Sequence, residues 1–531
     1  MISAETNLEV VMQIFSFSPF GYEGSLVTVE VDLRRGIPAV DIVGLADGAV
    51  KESRERMRSA IRNSNFEFPM ERVLISLSPA DLKKEGAGFD LAIALAVLGE
   101  SECLKNGTQN SLIEENVLVM GELELSGKLR SVRGVHAAVS TAAAGGIMYC
   151  IVPSQNAGEA REVEGVKVFA ADNLVEAFEA IHNRDVFTSR KINGGADDIP
   201  EGYEIVEGVL FPKQDEQFDF SLVKNQEKLV RALQIAAAGG HNLLAFGPPG
   251  CGKTMCLQRF SELLPALTVE QAYPVTRIYS LAGTLKPDDS LIRKAPFRIP
   301  HQTASIEGVC GGGVNCRPGE ISLAHNGVLF LDEAAEFKSS VLQMLRVPIE
   351  NKTITLCRAG RSTCYPAAFQ LLMASNPCPC GNYGSSSKVC LCSARAVENY
   401  WGKFSGPLLD RIDIRVKVDN VEEEKTACNP CMSTSQLRIS IADAVKIQRE
   451  RQGKKNAELR PDEVFEFCKM DAKADELLKK EAEKNDFSPR AVSSCMKLAR
   501  TICDMERIKL IGVKQVKEAV ALRKVNGGLA L

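Results

Sequence analysis

A chain of 531 residues, 45% hydrophobic and 25% charged, can bury about three separate cores, which excludes a peptide-sized or disordered scaffold. A net charge of −4 excludes global attraction for nucleic acid, so any contact with DNA or RNA has to be local, through a loop or a pore. Seventeen cysteines, an odd count behind a start (MISAETNLEVVMQIF) that has no basic stretch ahead of an apolar one, argue against a secreted disulfide framework. No apolar run approaches the roughly 20 residues that span a bilayer, so the expectation is a cytoplasmic protein with no membrane partner.

Over residues 1–180, β-branched runs such as LVTVEVDL and RVLISLS alternate with helical stretches such as GAVKESRERMRSAIRNS and DLAIALAVLG, which predicts a compact α/β or α+β domain. Residues 181–215 turn polar and are marked by Gly and Pro, the pattern of a linker. The amphipathic QEKLVRALQIAAAGG then leads into HNLLAFGPPGCGKTMCLQRF, which reads as strand, glycine loop and helix, and GVLFLDE and FQLLMASN follow as two further buried strands. That alternation predicts a doubly wound parallel α/β core over 216–425. From 426 to 531 the periodicity is helical, clearest in SPRAVSSCMKLARTICDMERI.

GPPGCGKT, Gly247 to Thr254, satisfies the phosphate-loop spacing G-x-x-x-x-G-K-[S/T] between a predicted strand and a predicted helix. Gly247, Gly250 and Gly252 let backbone N–H groups surround phosphates at a helix N-terminus, with Pro248, Pro249 and Cys251 completing the loop. Lys253 would reach the β- and γ-phosphates of ATP and Thr254 would hold Mg2+. In GVLFLDE, four apolar residues run into Asp332 and Glu333, a Walker B pattern. Asp332 would complete the Mg2+ shell and Glu333 would act as general base on the attacking water. The strand FQLLMAS ends at Asn376, placed to orient that water, although an Asn before Pro377 also suits a plain turn.

Between Lys352 and Arg361, IENKTITLCRAGRSTCYPAAF reads as a hairpin carrying Lys352, Arg358 and Arg361. Such cations can grip phosphates without reading sequence, or can simply be solvated. Just beyond Asn376, SNPCPCGNYGSSSKVCLC packs Cys378, Cys380, Cys390 and Cys392 into 15 residues. Four thiolates so placed can close a tetrahedral Zn2+ site; free thiols and redox pairing are the alternatives. Arg411 in GPLLDRID and Arg490 in SPRAV are candidates to stabilise charge on a transferring phosphoryl group.

Walker A, Walker B, sensor Asn, LLDR and SPRA in this order resemble the AAA+ ATPases, specifically their magnesium-chelatase-like branch. VDIVGLADGAVKESRERMRSAIRNSNFEFP, SPADLKKEGAGFDLAIAL, RPGEISLAHNGVLFLDE and NPCPCG resemble the ComM/YifB family more closely still. The resemblance implies an ATP-driven homo-hexameric ring, a Lon-protease-like N-terminal domain, a C-terminal helical lid, and branch migration of single-stranded or branched DNA in natural transformation. It makes Arg411 a trans-acting arginine finger and Arg490 a sensor 2. It also makes Ser305 to His325 an insert lining the pore, with the Lys352–Arg361 hairpin beside it as a second DNA-gripping loop.

Lon-type proteolysis needs a serine nucleophile and a lysine base. The matching turn, Lys84 to Asp90 (KEGAGFD), has no serine, and His136 stands at the matching lysine position, so proteolysis is not expected. Two other readings share the core motifs: an ATPase subunit driving Mg2+ insertion into a porphyrin, and a regulatory ATPase that remodels protein partners. Stimulation of ATP turnover by DNA separates the first reading from both.

Overall fold

The structure is a computed structural model that describes residues 14–84, 86–106, 116–189, 199–286, 290–358, 361–383, 388–418 and 431–524, with the side chains of 103–106 left aside. The N-terminal part is built on an eight-stranded mixed sheet. Its strands are β1 (Ile14–Ser18), β2 (Ser25–Arg34), β3 (Val40–Val43), β4 (Arg72–Ser78), β5 (Val117–Val119), β6 (Tyr149–Pro153), β7 (Lys167–Ala171) and β8 (Thr188–Ser189), in the order β8-β7-β6-β5-β1-β2-β4-β3. The helix α1 (Gly48–Asn63) is capped by Asp47, whose side chain accepts from the Val50 N–H at 2.8 Å, and it turns Val50, Met57, Ala60 and Ile61 inward. The helix α2 (Asp90–Asn106) has Leu91 through Leu98 all buried, which explains why its sequence is an unbroken apolar run rather than an amphipathic one.

A hairpin of Tyr203–Val206 and Val209–Pro212 stands inside the stretch read as a linker. It is tied down by Arg438, 1% exposed, which donates to the Pro212 carbonyl at 2.9 Å and to Glu204 Oε1 at 2.6 Å. Its polar, glycine-rich sequence had hidden the short strand pair.

The central core follows with α3 (Glu227–Gly239), β9 (Leu243–Phe246), α4 (Lys253–Gln258), α5 (Val269–Ala282), β10 (Phe297–Arg298), β11 (Val328–Leu331), the hairpin β12 (Thr353–Arg358) and β13 (Arg361–Pro366), β14 (Gln370–Ser375), α6 (Ala394–Gly402) and β15 (Ile414–Lys417). Five of these strands form an all-parallel sheet in the order β10-β11-β14-β9-β15. Every residue of β9, β11 and β14 is buried, as expected of strands covered on both faces. The order places β14 between the strand leading to the phosphate loop and the strand leading to Asp332.

Beyond residue 431 the described chain is helical: α7 (Thr434–Gln452), α8 (Pro461–Phe467), α9 (Ala472–Lys484), α10 (Pro489–Met505) and α11 (Val513–Arg523). Ser433 and Gln436 form a capping box at the start of α7. No helix among the described residues is long and apolar enough to cross a membrane.

The N-terminal part packs on the core through the β1–β2 turn. Arg277 of α5 donates to the Tyr22 carbonyl at 2.9 Å, the Tyr22 N–H donates to Thr363 Oγ1 at 3.0 Å, and the Tyr22 and Tyr365 rings meet edge to face at 5.7 Å. Leu281 of α5 lies within an N-terminal apolar cluster with Phe17 and Val135.

Candidate nucleotide-hydrolysis site

Parallel pairing aligns the C-terminal ends of β9, β14 and β11, so the residues that follow each strand meet at one edge of the sheet. Gly247 follows β9, Asn376 follows β14, and Asp332 and Glu333 follow β11. Glycine is required at three points of the loop: Gly247 lies where a Cβ would sit 2.0 Å from the Val418 carbonyl oxygen, and Gly250 and Gly252, with φ of +81° and +83°, are in the left-handed region as the loop opens α4. Nothing lies within 4 Å of where a Cβ on Gly250 would project, so that side of the loop is open.

The Lys253 ammonium, on a side chain only 8% exposed, donates to the Gly247 and Pro248 carbonyls at 2.7 and 2.8 Å and reaches Asn376 Oδ1 at 3.4 Å. Thr254 Oγ1 donates to Asp332 Oδ1 at 3.0 Å. Two hard oxygen donors thus converge beside a buried lysine, the donor set that suits Mg2+ bound together with phosphates. Cys251 is held through its carbonyl, which accepts from Gln226 Nε2 at 2.9 Å. Lys253, Thr254, Asp332 and Asn376, separated by up to 123 residues in sequence, are therefore brought together.

Glu333 sits at the rim with φ of +48°, unusual for a residue with a side chain, and its carboxylate accepts from Gln302 Nε2 at 2.5 Å. Gln302 had no signal in the sequence; only the fold places it there.

Arg411 and Arg490 are not at this cluster. Both contact Glu350: Arg411 Nη2 donates to its Oε2, and Arg490 Nη1 lies 3.5 Å from its Oε1. The hydrogen bond from Arg411, followed by that guanidinium's charge, holds the Glu350 carboxyl below the usual range. The Arg411 loop is also tied to the helical region. Asp410 accepts from Arg523 at 3.0 Å and from Ser488 at 3.2 Å, and Ser494 donates to Asp413 at 2.7 Å.

The cations of the β12–β13 hairpin differ in place. Lys352 precedes β12 and stands at the root, whereas Arg358 and Arg361 pair directly at the tip. Arg361 is stacked on the Phe20 ring with its guanidinium carbon 3.6 Å from the centroid. The segment from Ser305 to His325 packs beside the hairpin, with Tyr365 donating to the Cys316 carbonyl at 3.0 Å.

In the N-terminal part, His136 is 2% exposed and neither ring nitrogen has a hydrogen-bond partner. Burial, then the positive charge of Arg277, pushes its pKa down to about 3. The unfolded chain takes up a proton near pH 6.5 that the folded chain refuses, so the stability this site supports is full above about pH 6.5 and is lost as pH falls toward 3. His325, pushed down to about 4 by burial, adds to the same slope. His136→Leu is expected to flatten this part of the curve, read as a smaller drop in urea midpoint between pH 7.5 and pH 5; an unchanged drop would contradict the assignment.

Three family profiles match this chain: "Magnesium chelatase, subunit ChlI" over residues 219–426, "Subunit ChlI of Mg-chelatase" over 29–156, and "Magnesium chelatase, subunit ChlI C-terminal" over 432–523. With the parallel sheet and the cluster at its edge, they put the chain among the magnesium-chelatase-like AAA+ ATPases. Full-length relatives narrow this. The chain is 38% identical over 509 residues to the uncharacterized protein YifB of Escherichia coli K12, covering 95% of this chain and 96% of that one. It is 36% identical over 514 residues to the competence protein ComM of Haemophilus influenzae (96% and 97%), and 36% identical over 517 residues to an uncharacterized protein of Mycobacterium tuberculosis H37Rv (96% and 98%). The chain belongs to the ComM/YifB family.

Proposed function

We propose that this protein is a cytoplasmic DNA motor: a homo-hexameric AAA+ ring that hydrolyses ATP to translocate on single-stranded or branched DNA and promote branch migration. The observation that carries the ATPase half is the meeting of Lys253 with Asn376 and of Thr254 with Asp332 at the sheet edge. The backbone of Gly247 to Gly252 and the Lys253 ammonium would hold the phosphates. Thr254 and Asp332 would hold Mg2+, which supplies charge neutralisation between phosphate oxygens. Glu333 accepts the proton of the attacking water, Asn376 orients that water, Arg411 reaches a neighbouring subunit's nucleotide, and Arg490 acts from the lid.

In this reading residues 1–180 form a Lon-like domain without proteolytic residues, 181–215 a connector, 216–425 the motor core and 426–531 the lid. The burial of His136, which leaves it no access to a substrate, supports a scaffolding role for the first of these. The four clustered cysteines would hold Zn2+. The DNA half is supported by the paired arginines at the hairpin tip and by similarity to a protein named for competence.

The test is release of a strand from a synthetic three-stranded junction with ATP and Mg2+. The native protein is expected to release it and to hydrolyse ATP faster with DNA present, whereas Lys253→Ala does neither. Arg358→Ala/Arg361→Ala is expected to keep basal ATP turnover and lose the stimulation. Turnover that DNA leaves unchanged, without strand release, overturns the helicase reading in favour of a chelatase motor or a protein remodeller.

A further inference from the structure

The four sulfurs of Cys378, Cys380, Cys390 and Cys392 all lie within 4.8 Å of one another. Cys378 Sγ is 3.3 Å from Cys380 Sγ and 3.7 Å from Cys390 Sγ, and Cys380 Sγ is 3.5 Å from Cys390 Sγ. Thiolates arranged tetrahedrally around Zn2+ at about 2.3 Å stand about 3.8 Å apart, whereas a disulfide requires about 2.05 Å. The spacing fits a shared ion and not a bond between any measured pair. The turn is shaped for it: the Gly381 N–H donates to the Cys378 carbonyl at 2.9 Å, and the Tyr383 N–H donates to Cys378 Sγ at 3.3 Å, the kind of contact that stabilises a thiolate.

The turn touches the phosphate loop. Gly381, at φ +78°, lies against Pro249 so closely that a Cβ there would sit 2.7 Å from Pro249 Cδ. A second route runs through Trp401 of α6, whose indole N–H donates to the Pro377 carbonyl at 2.9 Å and whose ring meets Phe246 edge to face at 5.8 Å. Phe246 is the residue immediately before Gly247. Pro377 and Gly381 bracket the first cysteine pair, so a fixed turn meets Pro249 directly and reaches Phe246, the residue before Gly247, through Trp401.

Resting on the reading of this core as an ATPase and of the cysteines as a zinc site, we propose that the zinc-bound turn is a brace that holds the phosphate loop in its nucleotide-binding shape. The ion would thereby set nucleotide affinity although it lies outside the Mg2+ and phosphate contacts. Glycine at 381 is part of the device, since any side chain would wedge the turn away from Pro249.

The test measures zinc content, affinity for fluorescently labelled ADP and thermal melting in the native protein, in Cys390→Ser/Cys392→Ser and in Gly381→Ala. One zinc per native chain is expected, and cobalt substitution should give the intense visible absorption of a tetrahedral four-sulfur site. The double serine variant is expected to lose the ion and bind ADP at least about tenfold more weakly. Gly381→Ala is expected to keep its zinc and still lose affinity by a similar factor, which separates bracing from folding.

Native protein without stoichiometric metal overturns the zinc site. Gly381→Ala with full zinc and native ADP affinity overturns the brace while leaving the zinc site standing. Native protein that holds zinc and binds no ADP overturns the ATPase premise.

Discussion

Glu333→Gln is expected to bind ATP as the native chain does and to turn it over about 10²- to 10⁴-fold more slowly, the range a positioned general base contributes. The substitution keeps size and one acceptor oxygen while removing the negative charge and the capacity to accept a proton. The Glu333 carboxylate lies at the rim of the cluster, and among the described residues its side chain accepts from Gln302 and makes no hydrogen bond or ion pair with Lys253 or Thr254. Ground-state binding should therefore survive its neutralisation. The backbone supports a functional role for this residue, because φ of +48° at a residue with a side chain costs on the order of 1–3 kcal/mol and persists where surrounding structure enforces it. Gln302→Ala frees the carboxylate without removing it, and is expected to change turnover by no more than the roughly tenfold to hundredfold of one charge-assisted hydrogen bond. Single-turnover hydrolysis alongside ADP binding checks both variants. Turnover of Glu333→Gln close to native would remove Glu333 from the chemistry.

The parts of the site that were legible in the sequence are those where chemistry fixes spacing along the chain. Gly247, Gly252, Lys253 and Thr254 must be neighbours for one loop to cradle phosphate, and Asp332 must end a buried strand, so both announce themselves locally. The helices Gly48–Asn63 and Pro489–Met505 were legible because a one-sided apolar stripe repeats at helical spacing. Contacts made by strand order were not. Asn376 was singled out from its place at the end of a buried strand, but its 3.4 Å approach to the Lys253 ammonium depends on β14 lying between β9 and β11, and no local pattern encodes that insertion. Gln302 and Glu350 were missed for the same reason, as a glutamine or glutamate on the surface is common and its partner lies tens of residues away. The stacking of Arg361 on Phe20 joins a hairpin of the core to the β1–β2 turn, a pairing visible only once both parts are folded.

If the proposed ring and its trans-acting arginine finger hold, Arg411→Ala is expected to lower ATP turnover by about 10³- to 10⁵-fold with nucleotide binding intact. Within one chain the Arg411 guanidinium donates to Glu350 and to the Pro407 carbonyl, and among the described residues it makes no contact with Lys253, Thr254, Asp332 or Glu333. On the proposed ring reading, its value to catalysis lies across a subunit boundary. Asp410 is bound by Ser488 and Arg523, so movement of the helical region on nucleotide binding would carry Arg411 with it. Mixing decides the matter: Arg411→Ala chains retain an intact phosphate loop, and Lys253→Ala chains retain the arginine, so rings made from both should regain turnover that neither shows alone. Recovery on mixing places the arginine in trans. Absence of recovery, in rings shown to co-assemble, assigns Arg411 to its own chain. Glu350→Gln separates the structural role, because it weakens the hold on Arg411 and Arg490 while leaving both cations present; turnover near native in this variant, beside collapse in Arg411→Ala, would mean that the arginine matters for the phosphoryl charge and not for its salt bridge.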